Sequence, residues 1–411
     1  MSSKIMIIVF NRRGVKVLMP QATAARVVVV AGLHRAARSY AVDEFLYGMP
    51  DAVAVHHDLT GITEGVVHRV VRDRWGERDR QRVDLVHACV SCTLREDLVP
   101  LLLKLAAQGE AALYVVEAWD GVEPRAIVEA LTMAEVNRSP IADWLTVEAA
   151  VTVVDAELLV ADLTSGDDMC DRGLDIALQD DRTVAEVLSR QVEYPTALVL
   201  HGGERAPELT EQCTAVLSQL NPAAAIIAPD RGRLAALAGG RFDAVAAAAR
   251  LDPACVQPLD FCETGQVRTV TWRRSRPLHP GRLHAALDDV VGAGLRSRGR
   301  FWLASRPDTL LVWDASGTSL AMETAGPWLA ALPDAAWDLV PEQRRIAARL
   351  DWHPTAGDRC QCLSFTGIGL DAGRLVELLD SCLLTEAELE EAAREWPAAE
   401  DPFAEVLDAV S

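Results

Sequence analysis

Val27-Val28-Val29-Val30-Ala31-Gly32-Leu33-His34-Arg35-Ala36-Ala37-Arg38-Ser39 joins an apolar run to a glycine and then to a segment ending on a hydroxyl. The β-branched run predicts a buried strand. From Gly32 to Ser39 the spacing matches the phosphate-binding loop G-x-x-x-x-G-K-[ST], which lies between a strand and a helix. In that loop backbone N–H groups cradle phosphate, the lysine neutralises it and the hydroxyl holds Mg²⁺. Here Ala37 stands at the second glycine and Arg38 at the lysine. A Cβ at the glycine costs backbone freedom and space. A guanidinium fork does not replace an ammonium at a tight site. The only lysines are Lys4, Lys16 and Lys104, and none is placed to substitute. Two readings stay open: a degenerate nucleotide-binding loop carried by Gly32, Arg38 and Ser39, and an inert remnant, which the replacements favour.

Outward from this stretch, short strand-like runs alternate with helical patterns. Strands are expected at Val27–Ala31, Ala52–His56, Val83–His87, Ala111–Glu117, Val151–Asp155, Thr196–Leu200 and Ala225–Ala228. Leu98, Leu101, Leu102 and Leu105 recur at helical spacing. The alternation predicts an α/β fold over residues 26–230, a P-loop NTPase-like, mostly parallel sheet with helices on both faces. An Ala-rich helical stretch, Leu234 to Arg250, and then Asp252, Pro253, Pro258 and Gly265 mark a linker helix and boundary over 231–265. Beyond it lie seven of the ten tryptophans. Strands are expected there at Val267–Arg273, Phe301–Ala304, Thr309–Asp314 and Gln361–Thr366, and helices at Pro280–Val291 and Asp371–Ser381. This predicts a smaller α+β domain over 266–403, its tryptophans mostly core, with any exposed subset marking a partner surface. An acidic terminal helix and tail, ending in 404–411, are expected to be solvated. Residues 1–25 read as an extension. Met19-Pro20 resembles a second start, and a strand at Lys4–Phe10 is the alternative.

The chain has 411 residues and a net charge of −20. That balance excludes a nonspecific nucleic-acid binder, which needs a basic face. No apolar run approaches the roughly 20 residues of a membrane helix. Nine cysteines, an odd number with no secretory signal ahead of them, point to a reducing cytoplasm and to free thiols or metal ligands.

His87-Ala88-Cys89-Val90-Ser91-Cys92-Thr93-Leu94-Arg95-Glu96-Asp97 holds the most chemistry. Thr93-x-x-Glu96 predicts a capping box opening a helix that runs to about Gln108. Cys89 and Cys92 then sit ahead of a helix N-terminus, where the dipole favours thiolates. Thiolates bind a soft divalent metal such as zinc, and His87, His56, His57 or Asp58 are candidates for the two remaining tetrahedral positions. A structural thiol pair and a redox C-x-x-C stay open beside the metal reading. Cys360-x-Cys362 predicts two thiols on one strand face, a packed pair rather than a metal site. His201 is read as a loop residue.

These residues resemble the CobW-type family of P-loop GTPases, which act as metallochaperones. The family's C-x-C-C-T-L-R-E-D stretch matches Cys89 and Cys92 to Asp97, with Ser91 at the middle cysteine. Its E-x-x-G-x-x-[DE]-P segment is similar to Glu117-Ala118-Trp119-Asp120-Gly121-Val122-Glu123-Pro124, with Asp120 at the glycine. Val153-Val154-Asp155 matches the next strand. Gln191–Leu200 matches the strand before the guanine-reading N-K-x-D, but His201-Gly202-Gly203-Glu204 stands in that motif's place. Asn221-Pro222-Ala223, Arg276–Leu283, Gly357-Asp358-Arg359 and Gly367–Leu370 continue the likeness into a CobW C-terminal-like domain. The resemblance implies that Glu117 joins Gly32, Arg38 and Ser39 at the degenerate nucleotide site, that GTP and Mg²⁺ are weakly bound or absent, and that hydrolysis is absent or very weak. It further implies a divergent actinobacterial branch, the one that includes a mycobacterial ribosome-hibernation recruitment factor. The expected role is a nucleotide-deficient, zinc-linked adaptor in zinc starvation and ribosome hibernation, its partner a ribosome-hibernation factor or ribosomal protein. A GTP-dependent zinc metallochaperone with atypical motifs is the alternative.

Overall fold

The computed structural model describes residues 6–7, 24–136, 139–177, 180–203, 207–256, 258, 260–392 and 401–408. They form two compact units that divide at Ala247/Ala248, with the short segment Leu163–Gly166 assigned to the second. The division falls inside the segment read as a linker. The helical stretch there breaks into two, Arg231–Leu237 (α6) and Ala244–Leu251 (α7), with Gly239 and Gly240 between them.

The first unit holds β1 (Ala25–Ala31), α1 (Arg35–Gly48), β2 (Ala52–Asp58), β3 (Val66–Asp73), β4 (Gly76–Asp84), a continuous helical run from Val90 to Gln108 (α2), β5 (Leu113–Glu117), α3 (Pro124–Thr132), β6 (Leu145–Asp155), α4 (Val184–Glu193), β7 (Ala197–His201), α5 (Pro207–Leu220) and β8 (Ala225–Ile227). The sheet order is β8-β7-β6-β1-β5-β2-β3-β4. Its first six strands are parallel; β3 and β4 add an antiparallel hairpin at the edge. A parallel strand covered on both faces has no polar side, so Val27 to Val30 are all fully buried.

One expectation is corrected here. The strand expected at Val83–His87 is the end of β4, which stops at Asp84. Its charged sequence, Gly76-Glu77-Arg78-Asp79-Arg80-Gln81-Arg82, reads as a loop because an edge strand exposes both faces and is blunted with charge. Within Lys4–Phe10, the strand alternative at the start of the chain, Met6–Ile7 is described; it is a short strand that pairs with Glu135–Val136.

The second unit contains β9 (Phe261–Thr264), β10 (Val267–Arg274), α8 (Pro280–Val291), β11 (Arg296–Phe301), β12 (Thr309–Ser316), β13 (Ser319–Pro327), α9 (Glu342–Leu350), β14 (Gln361–Ile368), α10 (Ala372–Ser381), α11 (Glu386–Ala392) and α12 (Ala404–Asp408). Its sheet is antiparallel throughout, in the order β9-β10-β14-β11-β12-β13. Trp272, Trp313, Phe301 and Phe365 fill one face beneath α8 and α10. Burying each such side chain contributes about 1.5–3 kcal/mol. The expected strand Phe301–Ala304 lies earlier, at Arg296–Phe301, where its arginines hide the strand pattern. Gly299 there takes φ +156, and a Cβ would meet the Cys362 carbonyl oxygen at 1.9 Å, so glycine is what lets β11 lie against β14.

The acidic tail is not fully solvated. Phe403 and Leu407 enter the core, and Arg306 pairs with Asp401 and Asp408, both at 2.8 Å. Cys360 directly precedes β14 and Cys362 lies buried within it, and both thiols lie beside Arg300 and Asp351. No helix among the described residues is long and apolar enough to cross a membrane.

Candidate functional site

The carboxyl ends of β1, β2, β5, β6 and β7 come together at one edge of the parallel sheet, where open α/β sheets bind ligands. Register sets the neighbours: His56 pairs with Glu117, and Asp155 with His201. Gly32 follows β1 with φ +149, and a Cβ would meet the Val153 carbonyl oxygen at 2.4 Å. The turn after it is short. The helix begins at Arg35, with His34 at the N-cap, so only Leu33 and His34 separate Gly32 from the helix.

Arg38 is wholly buried and points back at this turn. Its Nη1 donates to the Gly32 carbonyl at 2.6 Å and meets the Asp120 carboxylate at 2.5 Å, while Nε lies 3.5 Å from Glu117. The Ser39 hydroxyl donates to Glu117 Oε1 at 2.9 Å. Arg72 donates to Glu117 Oε2 at 3.1 Å and pairs also with Asp43. His34 Nε2 lies 2.7 Å from Asp162. The four predicted residues, Gly32, Arg38, Ser39 and Glu117, are therefore in one place, but they are bonded to one another.

The charge balance is set against an anion. Two guanidinium groups, Arg38 and Arg72, face three carboxylates, Glu117, Asp120 and Asp43. Burial pushes the Glu117 carboxyl up, but His56, Arg38, Arg72 and the Ser39 hydroxyl together hold it below its usual range. Burial likewise lowers His56, against a pull upward from Glu117. A phosphate entering here must break the Arg38 ion pairs and meet ionised acids. As arranged, Arg38 is engaged by the protein's own carboxylates and backbone rather than presented to a phosphate.

Sequence reasoning missed Asp43, Arg72 and the role of Asp120. Arg72 was legible in principle: Val66-Val67-His68-Arg69-Val70-Val71-Arg72 has strand composition, which would have set it beside β2.

The thiol pair lies on the adjoining segment. The helix starts at Val90, three residues before the expected capping box, because Cys89 is the N-cap. The Cys92 N–H donates to Cys89 Sγ at 3.4 Å. Thr93 is inside the helix and donates to the Cys89 carbonyl at 3.3 Å, while Glu96 accepts from the Val86 N–H at 3.3 Å. Burial, and then the neighbouring Cys89 thiol, push the Cys92 thiol up. The helix widens to a π turn over Leu94–Leu98, which carries Asp97. Asp97 takes His57 Nε2 at 2.7 Å and Arg69 at 2.6 Å.

The candidate ligands are thus dispersed. His56 Nδ1 donates to the Glu117 carbonyl and the ring stacks on Trp119, Asp58 accepts from Thr60, and His87 is exposed on the loop before Cys89. Among the described residues no group of three or more His, Cys, Asp or Glu is arranged to hold a metal ion. The two thiols are brought together; His56, His57 and Asp58 have other partners. His201 packs against Tyr40 at the end of β7, and Glu204 lies outside the described residues.

Comparison with known proteins adds the following. The model for the CobW/HypB/UreG nucleotide-binding domain matches residues 65–228, and that for the cobalamin synthesis protein cobW C-terminal domain matches 267–383. The chain is 33% identical over 337 residues to the zinc chaperone Rv0106 of Mycobacterium tuberculosis, covering 79% of this chain and 80% of that one. It is 28% identical over 323 residues to zinc-regulated GTPase metalloprotein activator 1 of Dictyostelium discoideum, covering 75% and 67%. A solved structure of Zn(II)-bound YjiA GTPase from E. coli aligns with 88% of this chain and all of that one, at 13% identity and a TM-score of 0.35.

Proposed function

The chain belongs to the CobW/HypB/UreG family, and on that premise we propose that it is a zinc-handling protein whose phosphate site is closed by its own side chains. Zinc is its cargo, taken by the Cys89 and Cys92 thiolates. Two thiolates fill half of a tetrahedral shell and leave two positions for the protein that receives or shares the ion. The relatives named for zinc support this half of the reading. The receiving partner is a protein, and the ribosomal class expected from the sequence is part of the proposal.

The observation that carries the closed site is Arg38, wholly buried and bonded to Gly32, Asp120 and Glu117. A second reading, a GTP-dependent zinc metallochaperone with atypical motifs, is favoured by the relative named zinc-regulated GTPase metalloprotein activator 1. Titration with a fluorescent GTP analogue and Mg²⁺ separates the two. The closed site predicts no saturable binding below about 100 μM. Tight Mg²⁺-dependent binding that Ser39→Ala abolishes would establish the second reading instead.

A further inference from the structure

α9 turns an apolar stripe to solvent. Ile346 is 50% exposed and Leu350, four residues on and therefore on the same face, is 69% exposed. Leu339, before the helix, is 86% exposed and Trp352, after it, 46%. The opposite face of the helix is fixed. Ala347 and Ala348 are buried, and Arg344 donates to the carbonyls of Ala325 and Pro327 at the end of β13. The flanking segments are fixed too. Trp337 packs on Trp352 with ring centres 5.6 Å apart and donates to the Leu329 carbonyl, and Asp358 accepts the N–H groups of Leu329 and Ala330. The helix is thus held by its inner face while Ile346 and Leu350 stand outward on one stripe.

Charge identifies what fits it. In a chain of net −20, residues 338–352 are neutral: Asp338, Glu342 and Asp351 balance Arg344, Arg345 and Arg349. Repulsion between two copies is therefore weak here, and the remaining charge is screened beyond about 8 Å at physiological salt. The stripe is also self-complementary. Glu342 and Arg349, both exposed, flank Ile346, and neither has an ionic partner among the described residues. In an antiparallel pair of α9 helices with the two-fold axis beside Ile346, Glu342 of each copy meets Arg349 of the other, and Ile346 and Leu350 close the centre.

We infer that α9 is a homodimer face, on which a second copy of this chain docks antiparallel through Ile346 and Leu350 with reciprocal Glu342–Arg349 pairs. With one nine-residue helix per copy at its centre, the interface is small and the dimer reversible, with a dissociation constant on the order of 10 μM.

Sedimentation equilibrium of the full chain, across concentrations spanning that value, tests it. Ile346→Asp is expected to weaken association about 30-fold or more. Glu342→Arg and Arg349→Glu should each weaken it about 10-fold, and the double reversal Glu342→Arg/Arg349→Glu should return it to within about 3-fold of wild type, because the pairs re-form with exchanged sign. Val245→Asp, an exposed apolar position in the first unit, should leave it unchanged. All these positions are exposed, so each variant folds, which circular dichroism checks. A chain that stays monomeric up to about 200 μM, a dimer indifferent to Ile346→Asp, or a double reversal no better than its singles would each overturn the assignment.

Discussion

Arg38 donates to the carbonyl of Gly32, six residues earlier, at 2.6 Å. The side chain that a phosphate loop would aim at its ligand is instead bonded to the backbone of the turn. Removing it should therefore damage the fold before it damages any reaction. Arg38→Ala strips buried Asp120 and Glu117 of their shared cation, and a broken buried ion pair costs about 3–5 kcal/mol. Chemical denaturation of the variant should show a loss of that order. A change under about 1 kcal/mol would mean that water or another group replaces the guanidinium at little cost.

Gly32 is constrained from the other side. Gly32→Ala places a Cβ at 2.4 Å from the Val153 carbonyl and forces a positive φ on a side chain. A loss of roughly 2–4 kcal/mol is expected, read from the shift in urea midpoint at unchanged slope. A variant as stable as wild type would place the backbone of this turn elsewhere.

Acid should weaken the first unit in two windows. His56 has its folded pKa depressed below the ordinary 6.5, so the unfolded chain binds the extra proton first and stability falls as pH drops below that value. Glu117 is depressed below 4.5, so its contribution is present above that value and is lost as pH falls through the folded pKa. Melting temperature against pH should show both declines. His56→Gln should flatten the upper one and Glu117→Gln the lower. Profiles parallel to wild type in both variants would place the titration at other residues.

Much of this was legible in the sequence, and the misses have physical causes. The central strands announce themselves because a parallel strand buried on both faces is a continuous apolar run, as in Val27–Val30. The edge strand Gly76–Asp84 does not, because its charged residues serve solvent on both sides. The members of the phosphate loop were found by spacing, but the network they form was not. Asp43, Arg72 and Asp120 carry no motif, and only the fold sets them around Arg38 and Glu117. Thr93 and Glu96 matched a capping box, yet the sulfur of Cys89, four residues before Thr93, took the cap because it accepts the Cys92 N–H. Phe403 and Leu407 sit in an acidic stretch whose charge hid their anchoring role.

Ser91 stands where the resembling family carries a third cysteine. Ser91→Cys should tighten zinc binding, by about 10-fold or more for an added thiolate ligand, without altering far-UV circular dichroism. Equal affinity in both forms would show that the side chain at 91 does not reach the ion.

In the proposed function zinc is held at Cys89 and Cys92 while the phosphate site stays closed. Competition for zinc against a chelator of known affinity, run on wild type and on Cys89→Ser/Cys92→Ser with and without GTP and Mg²⁺, tests it most directly. One zinc per wild-type chain, loss of that ion in the double variant, and an affinity that GTP and Mg²⁺ leave unchanged are expected. Equal zinc in the two proteins, or an affinity that moves when nucleotide is added, would contradict it.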